Sequence, residues 1–564
     1  MRTTECSIVV RKTLITDLPP ELLSIIFKFV HDNTTPIRVE KDIIPIWMRM
    51  EGPKGFKQSV TTLVNPTIPD EPNLKSPTLF PYSLAAVCSF WRDILCSHPE
   101  FWTLVVLFID SKSTPLVDAS LFLEWSREHD IDVYITRRDG LRPAFHPDRH
   151  EKCQIDALLH ILKPHLHRCR SLHVDAHSSS SYPRIYKTFN GIQVPLLKSM
   201  EWICEAHTDS ENDSDSDGDS ENGFEPGLRR LVIDGKNFCK HSEELNYWMD
   251  NNPLKQLTIA QYKTGKNNGY SLKDFLDCVD AMNFLILEQF KLESLQFASC
   301  PIDIEPIFRS RFVHLEDVNE AFIADISRLA YFDGLSVLRI TRCPLPGLHN
   351  FNAVPNTLIL EDIGSSVNLL GAVTAWEGEN LWLDRCYSFS GLFLKALRQR
   401  RSQTGYPCNE MRRLLLYRLP KFSIVSLKRL IERRNEYVRY THPNWKTATA
   451  FGPAISHLAV VQCGKGKLSA KDEEWFRSRL VEFYWSSCFF FFVHLFRRPH
   501  GTQSLDNRGV LSTSPQGHRY QLISFCFAIA IVLLLQSRRN TSKPQTITTA
   551  ESTNHLPPYP SKYH

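Results

Sequence analysis

Two stretches near the N-terminus carry apolar residues at helical spacing. The first stretch, 18–30, has apolar side chains at i, i+3, i+4, i+7 and i+8, namely Leu22, Ile25, Ile26, Phe29 and Val30. The second stretch, 83–95, repeats this kind of spacing with Leu84, Val87, Cys88, Trp91, Ile94 and Leu95. Each pattern predicts a short amphipathic helix.

Apolar residues also lie off these two stripes. Leu23 and Phe27 lie off the first stripe, and Phe90 lies off the second. Two helices this short cannot bury so much apolar surface on each other alone. The pattern therefore predicts a further partner, which is either the rest of this chain or another protein.

After Trp102 the pattern changes to alternating strands and helices. A short apolar run predicts a strand at 103–109, alternation of apolar and polar residues predicts one at 131–135, and a further strand is predicted from 171 onward. Helical periodicity predicts helices at 119–128 and 154–166. The closing helix is predicted at 471–485. Repeated helix–strand units of this kind predict an α/β fold built as a solenoid.

Three segments share the pattern L-x-x-L-x-L-x-x-C, with Ile or Phe substituting for Leu at single positions: 292–300, 335–343 and 455–463. Partial copies occur at 228–233, 254–259, 381–386 and 414–416. The pattern resembles irregular leucine-rich repeats spanning 103–486, although an unrelated α/β domain with leucine-rich strands is the alternative. In such repeats the terminal Cys packs under the turn, which assigns that position to Cys300, Cys343, Cys386 and Cys463.

The two N-terminal stretches also contain a recognisable motif. Residues Leu18-Pro19-Pro20-Glu21-Leu22-Leu23, then Val87-Cys88-x-x-Trp91-Arg92-x-Ile94, then Pro99-x-x-Trp102 resemble an F-box, and in particular the F-box proteins expanded in mushroom-forming fungi. The usual motif is compact, whereas here 32–79 separates its halves, and we interpret this segment of region 1–102 as an inserted loop.

The F-box resemblance implies a partner and a function. It implies docking on a Skp-type adaptor, and through it on a cullin, while the repeats bind an unknown target protein. The chain would then be a non-catalytic substrate-recognition subunit of an SCF-type ubiquitin ligase. The alternative is a repeat scaffold that joins no ligase, with or without an anchor to a membrane through its tail. The implied adaptor contacts are Leu18, Pro19, Leu22, Leu23, Ile26, Phe27, Leu84, Val87 and Trp91.

Trp91 and Trp102 have two interpretations, namely packing between the two helices and a platform shared with the partner. We expect a mixture in which Trp91 is mainly internal.

Composition and charge reduce the number of functions and compartments that the sequence supports. The 564-residue chain has a net charge of +4 and no aromatic-rich basic block, so nucleic acid is not indicated. Its 15 cysteines are odd in number and scattered, and residues 1–12 are short and polar. We therefore expect reduced thiols in the cytoplasm and/or nucleus.

Candidate chemistry is weak. The common nucleotide-binding, zinc-protease and serine-hydrolase motifs are absent from the sequence, and 464–467 has glycines and lysines without phosphate-loop spacing. We therefore expect neither catalysis nor a cofactor. Metal-ligand residue types are densest in one group, for which capping and surface roles are favoured over zinc: Cys153, His160, His165, His167 and Cys169.

Two segments stand apart in composition. Segment 207–222 consists almost entirely of acids and serines, which predicts a disordered insert that is either a solvated loop or a target of acid-directed kinases. Segment 487–564 contains an apolar run, 522–535, shorter than the roughly 20 residues of a membrane span. The run is a short membrane anchor, a buried or interfacial helix, or a segment outside the folded unit.

Overall fold

A computed structural model describes most of the chain between Leu18 and Ser486. The described residues are 18–34, 73–76, 78–138, 147–182, 189, 192, 194–206, 227–243, 245–246, 254–263, 269–282, 287–297, 307–329, 331–345, 355–364, 369–374, 376–400, 406–419, 422–441, 454–463 and 468–486. Most of the predicted loop 32–79, the acidic insert 207–222 and the tail 487–564 lie outside this set.

Twelve α-helices fall within these residues. They are α1 Pro20–Thr34, α2 Tyr82–Ala85, α3 Ser89–Cys96, α4 Leu116–Trp125, α5 Pro147–Leu162, α6 Gly235–Lys240, α7 Leu272–Ala281, α8 Glu320–Leu329, α9 Leu369–Val373, α10 Gly391–Leu397, α11 Ile424–Thr441 and α12 Ala470–Arg479. Short 3-10 helices cover Pro99–Trp102, Lys163–Arg168 and Ser179–Ser181.

Fifteen strands form one sheet. They are β1 Leu104–Phe108, β2 Ile131–Thr136, β3 Cys169–Ser178, β4 Ser199–Ala206, β5 Arg230–Asp234, β6 Gln256–Lys263, β7 Leu287–Gln296, β8 Ile307–Glu316, β9 Tyr331–Asp333, β10 Val337–Thr341, β11 Thr357–Glu361, β12 Asn380–Asp384, β13 Arg413–Tyr417, β14 His457–Val461 and β15 Glu482–Ser486.

The strands lie side by side in chain order. Each strand pairs in parallel with the next along the chain, except that β8 pairs directly with β10, and β9 adds to β8 off this path. Parallel neighbours need a crossover connection, which helices supply in most of these units. The predicted α/β class is confirmed.

Both faces of the sheet are largely buried, as in parallel sheets generally. On one face, alternate strand residues such as Leu338, Leu358 and Leu381 lie in register and share a core with the helices. On the other face, a second apolar cluster consists of strand residues only, including Ile359 and Trp382.

In eight successive strand units, one residue near the C-terminal end of the strand has the left-handed backbone conformation. These residues, none of them glycine, have φ between 47° and 54°: Gln261, Ser294, Asp317, Arg342, Asp362, Arg385, Arg418 and Gln462. This conformation costs an ordinary L-residue about 1–2 kcal/mol. Each is followed by a buried residue: Tyr262, Leu295, Val318, Cys343, Ile363, Cys386, Leu419 and Cys463.

Hydrogen bonds offset the cost of this conformation. The N–H of Arg342 donates to the Glu361 carbonyl at 3.0 Å, and the N–H of Arg385 donates to the Tyr417 carbonyl at 3.1 Å. The same bond recurs from Asp317, Asp362, Arg418 and Gln462 to the next strand. From Asp317 onward, the left-handed residue thus extends the ladder one position beyond its strand, whereas Gln261 and Ser294 lie within β6 and β7.

Three cysteines fill the buried position after the left-handed residue. The Sγ of Cys343 donates to the Leu315 carbonyl at 3.7 Å and to the Thr341 carbonyl at 3.0 Å. The Sγ of Cys386 and of Cys463 donate in the same way to their own strand and to the preceding strand. These thiols therefore satisfy carbonyl groups under the turn.

The repeat frame predicted at 292–300 is wrong. Leu292 pairs with Leu315, which pairs with Ile340, so Leu292 corresponds to Ile340 and not to Leu335. Leu295 consequently occupies the position that Val318 holds one unit later and Cys343 holds two units later. Cys300 itself lies outside the described residues.

The closing helix predicted at 471–485 is also wrong at its C-terminal end. Helix α12 ends at Arg479, and β15 begins at Glu482. Phe483 and Trp485 pack against the helix-side core, whereas Tyr484 packs against the strand-only cluster. This alternation has the period of a strand, and the aromatic residues favour one.

Tyr82 joins the N-terminal helices to the first strand. Its hydroxyl donates to the Leu104 carbonyl at 2.9 Å and accepts from the Val106 N–H at 2.9 Å. Burial raises the pKa of Tyr82 well above its ordinary value, so the hydroxyl keeps its proton. One hydroxyl therefore satisfies two backbone groups of β1.

We expect Tyr82→Phe to lower the free energy of unfolding by about 1–3 kcal/mol, because it leaves these two backbone groups without a partner. Urea denaturation followed by tryptophan fluorescence measures the loss. Tyr387→Phe, which changes an exposed ring, is the matched control and should stay within about 0.5 kcal/mol of wild type. Equal stability of both variants would contradict the role of Tyr82.

The left-handed conformation of Gln462 gives a second prediction. Gln462→Gly should be more stable than Gln462→Ala by up to about 1 kcal/mol, because only the alanine keeps a Cβ in this conformation. The same pair at Arg429, which is exposed in α11, should show the reverse order. Thermal unfolding of the four variants checks both signs.

Candidate functional site

Helices α1 and α3 pack on each other through one face each. The rings of Phe27 and Trp91 meet edge-on with centroids 5.2 Å apart. The Ser24 hydroxyl and His98 Nε2 lie 3.1 Å apart, which links α1 to the chain after α3. Residues distant in sequence thus form one small helical unit, which we name the N-terminal unit (18–34 and 78–102).

The N-terminal unit has its own apolar core. Its buried members are Leu23, Phe27, Phe80, Leu84, Ala85, Trp91, Ile94, Leu95, Phe101 and Trp102. Trp102 Nε1 donates to the Leu95 carbonyl at 3.1 Å. The Trp102 ring stacks on Phe122 and contacts Trp125, both in α4. These contacts fix the unit to the first helix of residues 104–486, which we name the sheet domain.

The start of α1 is set by its two prolines. The Pro19 carbonyl accepts from the N–H groups of Leu22 and Leu23 at 3.0 and 3.2 Å. Pro20 is the first helical residue, where an N–H would have no intrahelical partner. Glu21 follows in the first turn, where a negative charge suits the helix dipole.

The structure reverses the predicted faces of α1. Leu23 and Phe27 are 0% and 1% exposed and belong to the core, whereas Leu22, Ile25 and Phe29 are 47%, 64% and 42% exposed. The sequence has two overlapping apolar stripes, and residues 23, 26, 27 and 30 have the same helical spacing as the stripe chosen. Periodicity alone could not decide which stripe is buried.

The remaining predicted contact residues divide in the same way. Leu84 and Trp91 are buried in the N-terminal unit, Leu18 and Ile26 are half-buried, and Pro19 is exposed. Val87 is exposed, and so is Phe90, which the motif did not single out. Buried residues cannot touch a partner in this conformation, so they support the site from within.

The candidate site is therefore the outer surface of the N-terminal unit. We name it the exposed apolar surface, and it comprises Leu22, Ile25, Phe29, Val87 and Phe90. Three of these side chains lie on α1, Phe90 lies on α3, and Val87 lies in the turn before α3. Large apolar side chains exposed in this number on one small unit are typical of a protein-binding site. Phe90 could have been found from its position one residue before Trp91 in the second stretch.

A second notable surface lies where the strands end. The guanidinium groups of Arg339, Arg385 and Arg418 are about one-third exposed, and the carboxylates of Glu361 and Asp384 lie beneath them. Arg385 Nη2 donates to Glu361 at 2.7 Å, and Arg418 Nε donates to Asp384 at 2.9 Å. Burial alone would raise the pKa of Glu361, but Arg339 and Arg385 outweigh it and lower the pKa.

The candidate metal ligands do not converge. His165 Nδ1 lies 3.1 Å from Arg168, His167 Nδ1 lies 2.9 Å from the Pro164 carbonyl, and Cys169 donates to the Ser171 carbonyl. Cys153 is exposed. In the part of the chain that the structure describes, no three His, Cys, Asp or Glu side chains are grouped as metal ligands.

Arg168, which the sequence analysis missed, is buried and binds the end of α4. Its guanidinium donates to Ser126 Oγ and to the carbonyls of Leu123 and His129 at 2.7–2.8 Å. Arginine near the last turn satisfies carbonyl groups that the helix leaves open.

Among the described residues, no helix has both the length and the apolar content that crossing a membrane requires. The candidate segments at 464–467 and 522–535 lie outside those residues.

No protein-family description matches this chain, and no curated protein matches it at a significant level.

The two faces of α1 should respond differently to truncation. Phe27→Ala should cost about 3–5 kcal/mol, because it opens a cavity against Trp91, whereas Ile25→Ala should stay within about 0.5 kcal/mol of wild type. Urea denaturation monitored by tryptophan fluorescence reports on the unit directly, because Trp91 and Trp102 lie inside it. A larger loss for Ile25→Ala than for Phe27→Ala would contradict the assignment of faces.

Proposed function

We propose that this chain is a non-catalytic substrate-recognition subunit of an SCF-type ubiquitin ligase, acting in the cytoplasm and/or nucleus. In this proposal the N-terminal unit is an F-box that docks on a Skp-type adaptor and through it on a cullin. The sheet domain is a leucine-rich-repeat-like array that binds a target protein.

The exposed apolar surface carries the proposal. Leu22, Ile25 and Phe29 expose between two-fifths and two-thirds of their side chains, although the opposite face of α1 is fully buried. A helix that is apolar on both faces needs a second partner to cover the outer face. The F-box-like motif, which includes Leu22 at the start of this face, is the reason to propose that this partner is the Skp-type adaptor.

The mechanism is tethering. The N-terminal unit shares its aromatic contacts with α4 through Phe122 and Trp125, so the adaptor and the sheet domain would be held in a fixed relation. A target bound to the sheet domain would then have a high effective concentration near the conjugating enzyme. No bond-making residue in this chain is required.

The row of guanidinium groups supports the assignment of a target surface. Arg339, Arg385 and Arg418 are held in place by the carboxylates beneath them and are exposed in part. A guanidinium fixed in this way loses little rotamer entropy on binding and can donate two parallel hydrogen bonds to a carboxylate. We expect the target to present acidic side chains to this row.

The docking proposal predicts a specific loss of binding. The full chain with Leu22→Asp and Ile25→Asp should bind the Skp-type adaptor at least tenfold more weakly, a loss of about 1.4 kcal/mol, because two carboxylates would be buried in an apolar interface. Co-purification followed by a titration measures the affinity.

The matched control is Leu392→Asp with Val425→Asp. These residues are equally apolar and exposed but lie in α10 and α11. This variant should bind the adaptor as wild type does. A wild-type chain that does not bring down the adaptor would exclude the ligase function and favour the repeat scaffold.

The same variants distinguish proteins that bind the sheet domain from proteins that bind through the adaptor. With the proteasome inhibited, a protein recovered with both wild type and the Leu22→Asp, Ile25→Asp variant is bound by the sheet domain. A protein recovered only with wild type is bound through the adaptor.

A further inference from the structure

Two cysteines meet where helices α6 and α7 pack together. Cys239 lies in α6 and Cys278 in α7, and both are free thiols. The Sγ of Cys278 donates to the Cys239 carbonyl oxygen at 3.8 Å, which places the Cys278 thiol against the residue that carries the second thiol. The rings of Phe238 and Phe275, 5.7 Å apart, hold the two helices together beside this pair.

The surroundings give the two thiols different roles. Cys239 is buried, whereas Cys278 is half-buried and within reach of solvent. The neighbouring Cys239 thiol lowers the pKa of Cys278 to about 7, aided by the Ser242 hydroxyl, although burial and the carboxylates of Asp274 and Asp277 act in the opposite direction. The lowered pKa favours the Cys278 thiolate, which is the reactive form.

We propose that Cys278 and Cys239 form an oxidation site for hydroperoxides, in which Cys278 is attacked first and Cys239 closes a disulfide between α6 and α7. The inference stands apart from the proposed ligase function and would hold if that function failed.

The chemistry needs only the named oxidant. The Cys278 thiolate attacks one oxygen of the hydroperoxide, the O–O bond breaks, and the products are Cys278 sulfenic acid and a hydroxide or alkoxide ion that takes up a proton. The Cys239 thiol then attacks the Cys278 sulfur and forms the S–S bond, while the sulfenic oxygen leaves as water with the thiol proton. The peroxide is reduced by two electrons, and the two thiols are oxidised together.

Other described cysteines differ in kind. Burial raises the pKa of Cys343 and Cys386 to about 12 and that of Cys463 to about 11. Their thiols donate to carbonyl oxygens under the strand turns, as described above. These three cysteines keep their protons and lie out of reach of solvent, so oxidation should favour Cys278 over them.

The test uses the full, reduced chain treated with hydrogen peroxide at pH 7 and mapped by mass spectrometry without reduction. We expect a peptide linked through Cys239 and Cys278 that separates again when a dithiol reductant is added. Cys278 should react about threefold faster in the folded chain than in the urea-unfolded chain, because its thiolate is stabilised only in the fold.

Single substitutions distinguish the two roles. In Cys239→Ser the sulfenic acid should persist at Cys278 and react with dimedone, whereas in Cys278→Ser no linked peptide should form and Cys239 should stay reduced. Cys153→Ser removes an exposed cysteine and should leave the linkage intact. The proposal is overturned if the peroxide-treated wild-type chain keeps both thiols reduced, or if Cys278 pairs with a different cysteine. That result needs no variant, so misfolding of a variant cannot obscure it.

Discussion

The structure depends on how each strand ends. One residue turns into the left-handed conformation, gives its N–H to the next strand, and directs the following side chain back under the sheet. The conformational penalty recurs at eight successive units. Burial of the next residue offsets it at each unit, and from Asp317 onward the hydrogen bond to the next strand adds to this. Because the turn fixes the register, the chain between turns can vary in length, from 20 residues between Arg342 and Asp362 to 44 between Arg418 and Gln462. Loop length is tolerated because closure entropy grows slowly with the number of residues.

The sequence was informative wherever burial and periodicity agree. The strand predicted at 103–109 appears as β1, which is a continuous apolar run. The strand predicted at 131–135 appears as β2, in which buried and half-buried residues alternate along most of the strand. The predicted helix at 119–128 appears three residues earlier, as α4. The errors arose where the same residues fit two overlapping apolar patterns. Leu287, Phe290 and Leu292 compete with Leu292, Leu295 and Phe297 for the repeat frame, and only the pairing with β8 decides between them.

The sequence located the candidate site but did not show which of its residues are exposed and which are buried. The motif identified the correct two segments, and they do lie together around Phe27 and Trp91. It could not tell the inner from the outer stripe of α1, because both stripes are apolar and the choice is made by contacts with Phe80, Phe101 and other residues distant in the chain. Tyr82 was missed for a different reason. A hydroxyl that binds backbone groups of another element has no local sequence signal.

The position of Tyr82 has a consequence for the behaviour of the isolated sheet domain. The first strand of any open sheet presents a row of backbone groups to which a strand from another molecule can add, and this is a common route to aggregation. In the intact chain the Tyr82 hydroxyl occupies the outward-facing groups of Leu104 and Val106. A truncated chain that began at β1 would expose this margin, and we expect it to self-associate even if every later unit folded correctly. The N-terminal unit thus covers backbone groups at that end of the sheet.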